Sequence, residues 1–153
     1  MTITLVGMPG CGKSTVGRHL ARHLGLRLVD SDHEVERRIG MSIRAWFDTH
    51  GEAAFRDIEQ QVIEALCTSA EDIVLATGGG AVLRAANREH LHRASHVFYL
   101  RSTPEELFRR LRHDTHRPLL QVNDPLRRLR ELYRERDPLY RQVAHYIVET
   151  GRP

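Results

Sequence analysis

The sequence predicts an α/β fold in which helices cover both faces of a five-stranded parallel sheet, giving three layers. Five short apolar segments alternate with amphipathic helical patterns along the 153 residues, as in a doubly wound sheet. The first segment, Ile3 to Val6, leads into a glycine-rich loop, after which Val16, Leu20 and Leu24 recur at helical spacing. The length suits one domain, 1–153, with a substantial core.

The glycine-rich loop between this strand and helix is the strongest motif of the chain. It reads Gly7-Met8-Pro9-Gly10-Cys11-Gly12-Lys13-Ser14 and fits G-x-x-x-x-G-K-[ST], the P-loop that surrounds nucleotide phosphates with backbone N–H groups. The helix behind it adds unpaired N–H donors and the positive end of its dipole. Lys13 is the only lysine of the chain. The loop therefore predicts a nucleotide-phosphate site.

Composition excludes several other classes of protein. The net charge is only +3, and the arginines are spread along helices instead of clustering with aromatics, so nucleic-acid binding is not expected. No apolar run is long enough for a membrane span, and residues 1–6 lead straight into the loop, so neither a membrane span nor a signal peptide is expected. Two cysteines, Cys11 and Cys67, indicate a reducing compartment. We expect a cytoplasmic protein in which Cys11 is simply a small loop residue, with an oxidation-sensitive role as the weaker alternative.

Two further strands end in polar or glycine-rich segments, where α/β sheets place ligands. Leu26 to Val29 runs into Asp30-Ser31-Asp32, which predicts either an N-cap pair or a site with one carboxylate on Mg²⁺ and the other on a substrate hydroxyl. Beside a P-loop, the second reading is favoured. Ile73 to Ala76 runs into Thr77 and the glycines 78–80, which indicate close approach of another group or a flexible turn. No Asp ends this strand, so the metal role shifts to Asp30.

The helical segments carry the remaining candidates. A helix over 52–68 includes Arg56 and Glu59, whose spacing is that of an ordinary surface ion pair, and Trp46, Phe47 and Phe55 are expected in the core. Helices are also predicted over 33–40, 43–49, 84–93, from Thr103-Pro104, and over 124–136, where Pro138 interrupts the last. Residues 113–124 have little periodicity and include Arg117, which suggests a lid. A fifth strand follows at 145–148.

Assembled in order, these motifs resemble the shikimate kinase family, small P-loop kinases related to nucleoside monophosphate kinases. The resemblance covers nearly the whole chain. Its motifs are the loop 7–15, Asp30-Ser31-Asp32, Phe55-Arg56-x-x-Glu59, Gly78-Gly79-Gly80, Arg117-Pro118-Leu119-Leu120 and Arg136-x-Pro138-Leu139-Tyr140.

The resemblance implies transfer of the ATP γ-phosphate to the 3-hydroxyl of shikimate, on the route to chorismate and aromatic amino acids, by a monomer that uses Mg²⁺. It also implies strand order 2-3-1-4-5, substrate-binding helices at about 31–60 and a lid at about 112–124. The implied catalytic residues are Lys13, Asp32 and Arg117. Shikimate would be bound by Asp32, Arg56, Gly78, Gly79, Gly80 and Arg136, and Mg²⁺ by Ser14 and Asp30. ATP would be bound by Gly10, Cys11, Gly12, Lys13, Ser14, Thr15, Arg110 and Arg117. Many members continue beyond the position of Pro153, so Arg152 and Pro153 are added as candidates on the adenine side.

The chemistry agrees with these roles, and two alternatives stay open. A carboxylate suits the guanidinium groups of Arg56 and Arg136, and phosphoryl transfer depends on positioning and charge neutralisation. Arg56, Arg136 and the glycines 78–80 suit a compact carboxylated polyol, which does not exclude a gluconate-type kinase on the same fold. A domain that binds these ligands without turnover is the second alternative, but it would be expected to lack Lys13 or Asp32, and both are present.

Overall fold

The structure is a computed structural model, and it describes residues 2–112 and 123–150. Five strands form one sheet in the order β2-β3-β1-β4-β5, and every pairing is parallel. The strands are β1 (Ile3–Val6), β2 (Arg27–Asp30), β3 (Ile73–Ala76), β4 (His96–Arg101) and β5 (Tyr146–Glu149). The predicted fold class and strand order are confirmed.

The register of the neighbouring strands β2, β3 and β1 places the predicted site at their carboxyl ends. All four residues of β1 and of β3 are buried, as expected where helices cover both faces. Leu5 lies opposite Ala76, and Asp30 lies opposite Ala76 on the other side of β3. The segments that follow these strands therefore start side by side. They are the glycine loop after β1, the Ser31–Asp32 segment directly after Asp30 at the end of β2, and the glycine run after β3.

Seven α-helices lie in the described residues, and their ends follow local sequence signals. They are α1 (Lys13–Leu24), α2 (Ser31–Ile39), α3 (Ile43–His50), α4 (Glu52–Thr68), α5 (Ala85–Ala94), α6 (Pro104–Leu111) and α7 (Pro125–Val143), with a short 3₁₀ helix at Ala81–Leu83. Gly25 ends α1 at φ 68°, a left-handed conformation that favours glycine. Thr103 and Glu106 form a capping box on α6. These predicted helix ends are confirmed.

The predicted interruption at Pro138 is wrong, because α7 continues through it to Val143. Proline has no N–H, so the carbonyl of Arg134 has no intrahelical donor at this point. Four side chains on both sides of the proline are nevertheless buried, namely Leu129, Leu132, Tyr140 and Val143. Their burial stabilises a continuous helix by more than the missing hydrogen bond costs.

Two apolar clusters hold these elements together. The larger one surrounds the sheet. The smaller one, built on Val35, Phe55 and Val62, joins α2, α3 and α4 and includes the partly buried rings of Trp46 and Phe47, so the expected packing role of these aromatics is confirmed. Within residues 2–112 and 123–150, no helix is both long and apolar enough to cross a membrane.

Candidate active site

A cleft of about 870 Å³ opens at the carboxyl ends of β1, β2 and β3. It brings together residues that are far apart in the sequence. Its lining includes the loop residues 9–16, Asp30, Asp32, the segment 76–79, Arg110, Leu111 and Thr150. Most of the predicted nucleotide and metal residues therefore share one cleft with Asp32 and two of the predicted glycines.

The glycine loop is held in a conformation that requires glycine at several positions. Gly7, Gly10 and Gly12 all have positive φ. A Cβ at Gly7 would lie 2.7 Å from the carbonyl oxygen of Leu100 and 2.8 Å from Sγ of Cys11. Helix α1 starts directly behind the loop at Lys13, so its unpaired N–H groups point into the cleft, as anion binding requires.

The only lysine of the chain lies across this loop. Nζ of Lys13 donates to the carbonyl oxygens of Gly7 at 2.5 Å and of Met8 at 3.2 Å. Its ammonium group is thereby held over the loop that would receive the phosphates. Cys11 is 2% exposed beside it, consistent with the expectation of a small packing residue.

The three residues at the end of β2 and the start of α2, Asp30 to Asp32, have three different roles. Oδ1 of Asp30 accepts hydrogen bonds from the backbone N–H groups of Asp32 at 2.9 Å and His33 at 3.3 Å, so the N-cap alternative is correct for Asp30. Oγ of Ser31, a buried side chain, accepts from the N–H of Gly78 at 3.0 Å. Asp32 is inside the helix, and its carboxylate faces the cleft.

The environment of Asp32 raises the pKa of its carboxyl group above the ordinary value. The pKa of Asp32 is raised to about 6, mainly by burial and also by the nearby carboxylates of Glu59 and Asp30, while Lys13 and Arg56 oppose the shift. A carboxyl group with a pKa close to neutrality is suited to exchange a proton with a hydroxyl group under physiological conditions.

Arg56 and Glu59 form a buried ion pair, so the expectation of an ordinary surface pair is wrong. Nη1 of Arg56 donates to Oε1 of Glu59 at 2.8 Å, and the side chains are 14% and 1% exposed. Burial raises the pKa of Glu59, and the neighbouring Arg56 counteracts this. Spacing alone could not reveal the burial, because it results from packing of α4 against α2 and α5.

The glycine run after β3 is closely approached from three sides, which confirms that alternative over a flexible turn. A Cβ at Gly78 would lie 2.5 Å from Oδ1 of Asp32. At Gly79 it would lie 3.1 Å from both Nη1 of Arg136 and Cδ of Pro9. At Gly80 it would lie within 2.7 Å of the central carbon of the Arg56 guanidinium. Glycine leaves the space that these side chains occupy.

Arg136 and Arg56 therefore converge on the glycine run beside Asp32. Each has an Nε–H group that is buried and has no hydrogen-bond partner among the described residues. Unpaired buried donors cost free energy, and an anionic ligand is one means of satisfying them. Two guanidinium groups, backbone N–H groups and one carboxylate form a wall suited to a small acid that carries hydroxyl groups.

Arg110 connects the glycine loop with the end of the sheet. Its guanidinium donates to the carbonyl oxygens of Gly10 at 3.2 Å and Thr150 at 2.6 Å. Three predicted site residues, Arg117, Arg152 and Pro153, lie outside the described residues, as does most of the predicted lid at 112–124.

Comparison with known proteins identifies the family. The shikimate kinase family model matches residues 9–153. The chain belongs to the shikimate kinase family. A shikimate kinase of Paracidovorax citrulli is 59% identical over 153 residues, covering 99% of this chain and 84% of that protein. The family, the kinase activity and the use of ATP, all predicted from the motifs, are thus confirmed.

Solved structures agree with this family assignment. Shikimate kinase of Acinetobacter baumannii in complex with shikimate has a TM-score of 0.92 and 49% identity, covering 99% of this chain and 84% of that one. A gluconokinase of Sinorhizobium meliloti has a TM-score of 0.61 at 18% identity, covering 99% and 83% of the two chains. That second likeness shows the fold alone.

Sequence reasoning gave no role to three side chains that hold the glycine run of this shikimate kinase family member. Oγ1 of Thr77 donates to the carbonyl oxygen of Leu5 at 3.1 Å. The hydroxyl group of Tyr140 donates to the carbonyl oxygen of Gly79 at 2.6 Å, and Ser31 accepts from Gly78, as described above. Ser31 and Tyr140 lie in quoted motifs, but their partners are distant in sequence and only the fold reveals them.

Proposed function

We infer that this chain transfers the γ-phosphate of ATP to the 3-hydroxyl of shikimate, giving shikimate 3-phosphate and ADP. A bond forms between the hydroxyl oxygen and the γ-phosphorus, the bond from that phosphorus to the bridging oxygen of ADP breaks, and the hydroxyl proton leaves toward Asp32. The observation that carries the proposal is one arrangement. The carboxylate of Asp32 lines the same cleft as the glycine loop and lies against Gly78, the first glycine of the run that Arg56 and Arg136 approach.

The donor half of the site is the glycine loop with the start of α1. Backbone N–H groups of Gly10, Cys11 and Gly12 would surround the phosphates, helped by the positive end of the helix dipole. Lys13 would exchange its contacts with the loop carbonyls for phosphate oxygens, where its charge counters the negative charge that develops during transfer.

The residues present fit Mg²⁺ as part of the donor. Ser14, exposed in the first turn of α1, and Asp30 both line the cleft, and a hydroxyl and a carboxylate are the hard oxygen ligands that this ion prefers. The described residues contain no cluster of three or more ligand side chains, which suits an ion carried largely by phosphates and water. Bound there, Mg²⁺ would neutralise phosphate charge. Asp30 would act through Oδ2 or through water, since Oδ1 caps α2.

The acceptor half would bind shikimate by charge and by backbone N–H groups. Arg56, held by Glu59, and Arg136 would bind its carboxylate, and the N–H groups of Gly78, Gly79 and Gly80 would contact its hydroxyl groups. Asp32 would orient the reacting hydroxyl and accept its proton, which its raised pKa allows.

The proposal also includes the residues outside the described ranges. Arg117, from the lid, would contact the transferring phosphoryl group, while Thr15 and Arg110, with Arg152 and Pro153, would complete the nucleotide site. We propose that the chain acts as one domain and as a monomer in the cytoplasm. The cleft supports the single domain and the monomer, because one chain supplies both the donor half and the acceptor half.

The direct test is a coupled assay of ADP release with Mg-ATP and either shikimate or gluconate. Turnover with shikimate and none with gluconate is expected. Turnover with gluconate alone would establish the rival kinase. Calorimetric binding of shikimate without any ADP release would instead establish a binding domain that lacks turnover.

A further inference from the structure

The hydroxyl group of Tyr140 is directed at the glycine run from a distant element. The side chain is fully buried, and its hydroxyl donates to the carbonyl oxygen of Gly79 at 2.6 Å, across 61 residues of sequence. Burial raises the pKa of Tyr140, so the group stays protonated and remains a donor at any pH where the protein works.

This bond is one of three side-chain hydrogen bonds that hold the run. Thr77 is tied to Leu5 of β1, the N–H of Gly78 to Ser31 of α2, and the carbonyl of Gly79 to Tyr140 of α7. The carbonyls of Gly78 and Gly80 also accept backbone bonds, so among the three glycine carbonyls that of Gly79 is the one held by a side chain. The carbonyl of Gly79 and the N–H of Gly80 belong to one planar peptide group. Holding the carbonyl therefore also sets the direction of the Gly80 N–H.

The same helix face carries Arg136 one turn earlier. Residues four apart on a helix lie on the same side. Nη1 of Arg136 lies 3.1 Å from the position of a Cβ at Gly79. Thus α7 contacts one glycine with both a guanidinium group and a phenol group.

We propose that Tyr140 is a positioning residue for the acceptor site. Its hydroxyl group fixes the Gly79–Gly80 peptide and so sets the separation between the glycine N–H groups and the guanidinium of Arg136. This inference rests on the proposed binding of shikimate at that wall. Tyr140 is not among the described residues that line the cleft and acts through the glycine run, so loss of its hydroxyl group should weaken acceptor binding and leave ATP binding unaffected.

The test compares Tyr140→Phe with Tyr99→Phe. The two rings pack together with centroids 4.9 Å apart, and both are buried. The hydroxyl of Tyr99 instead donates to Oδ1 of Asp137 at 2.8 Å. Each variant removes one buried hydroxyl from the same aromatic pair, but only Tyr140→Phe frees the glycine run.

For Tyr140→Phe we expect KM and calorimetric Kd for shikimate to rise about fivefold, the typical effect of one neutral hydrogen bond. The KM for ATP and kcat should stay within about twofold on the same reasoning. Tyr99→Phe should leave the shikimate constants unchanged. Unchanged shikimate constants in Tyr140→Phe, or an equal rise in both variants, would overturn the proposal.

If the Tyr140→Phe variant does not fold, a second measurement on the wild-type protein tests the proposal instead. In the wild-type protein, proton NMR should show a slowly exchanging Tyr140 hydroxyl with a nuclear Overhauser effect to the Gly80 amide, and shikimate should slow its exchange further. Exchange that shikimate does not alter would contradict the proposal. Absence of any shikimate binding or turnover in the wild-type protein would contradict the proposed function instead, so the two failures are distinguishable.

Discussion

Nη1 of Arg56 lies 2.8 Å from Oε1 of Glu59, whose side chain is 1% exposed. The pair balances the buried charge of Glu59 through Oε1 and also holds the arginine in one orientation, toward Gly80. Removing Glu59 leaves the largely buried Arg56 with its longer contact to Glu52, at 3.6 Å, as the remaining ion pair among the described residues. Breaking a buried pair in this way costs far more than the pair itself contributes.

Glu59→Ala is therefore expected to lower the free energy of unfolding by about 3 kcal/mol and to raise the KM for shikimate. Urea denaturation and steady-state kinetics measure the two effects. The matched control is Glu71→Ala, which breaks the exposed pair with Arg27. Solvent screens that pair, so its loss should alter neither quantity noticeably. Equal changes in stability and KM in the two variants would contradict the proposal that the buried pair matters more than an exposed one.

The raised pKa of Asp32, about 6, predicts the acid limb of the rate profile. Below this pH the carboxyl group is protonated and cannot accept the hydroxyl proton. The value of kcat/KM for shikimate should therefore fall about tenfold per pH unit below 6 and level off above it. Asp48→Asn, on exposed α3, should retain this profile. If kcat/KM for shikimate does not decrease below about pH 6, Asp32 is not the proton acceptor.

Asp32→Asn should lower kcat by about a hundredfold or more while ATP still binds. Isothermal titration with ATP and single-turnover assays with shikimate test the two parts. Near-normal turnover would exclude Asp32 as the proton acceptor. The same variant serves as a probe of stability.

The stability of Asp32→Asn relative to wild type should increase with pH. The folded-state pKa of Asp32 is raised above the ordinary value, so its favourable contribution is fully present below pH 4 and is lost as the pH rises through about 6. The asparagine side chain does not titrate, so the variant does not lose stability in this way as the pH rises. Its Tm should therefore gain on that of the wild type between pH 4 and pH 7 in thermal scans. A constant difference across this range would show that the pKa is not raised.

Gly80→Ala should weaken shikimate binding because the new Cβ would collide with the guanidinium of Arg56. The backbone at Gly80 has φ −92°, which alanine adopts readily, so the effect is steric and local. The control Gly40→Ala replaces a glycine with φ 72° and open space around it. It should cost about 1 kcal/mol of stability but leave the shikimate KM unchanged.

Lys13 offers a chemical test because the chain contains no other lysine. An amine-directed reagent should modify Lys13 and the N-terminus only, and activity should fall in proportion to the Lys13 adduct seen by mass spectrometry. ATP should protect this lysine, whereas shikimate alone should not. Full modification of Lys13 with full activity would contradict its role at the phosphates.

The elements of the fold were predictable because their signals are local. The glycine loop, the caps at Gly25 and Thr103 and the apolar strands each depend on a few neighbouring residues. The continuation of α7 past Pro138 was not, because it depends on burial on both sides of the proline. The pairing of Tyr140 with Gly79 and the burial of Glu59 likewise come from contacts between distant elements. The sequence motifs identified the residues proposed to bind the acceptor, namely Asp32, Arg56, Arg136 and the glycines 78–80. They could not reveal the hydrogen bonds that orient these residues.

Gly79 lies between Pro9 of the glycine loop and Arg136 of α7, with 3.1 Å to each from the position of a Cβ. The backbone at Gly79 therefore separates the proposed nucleotide site from the proposed acceptor site and contacts both. A substitution that reshapes the acceptor side at this position would press on the phosphate loop as well. At Arg56, which approaches Gly80 and not Gly79, a change in acceptor contacts would not press on Pro9 in this way.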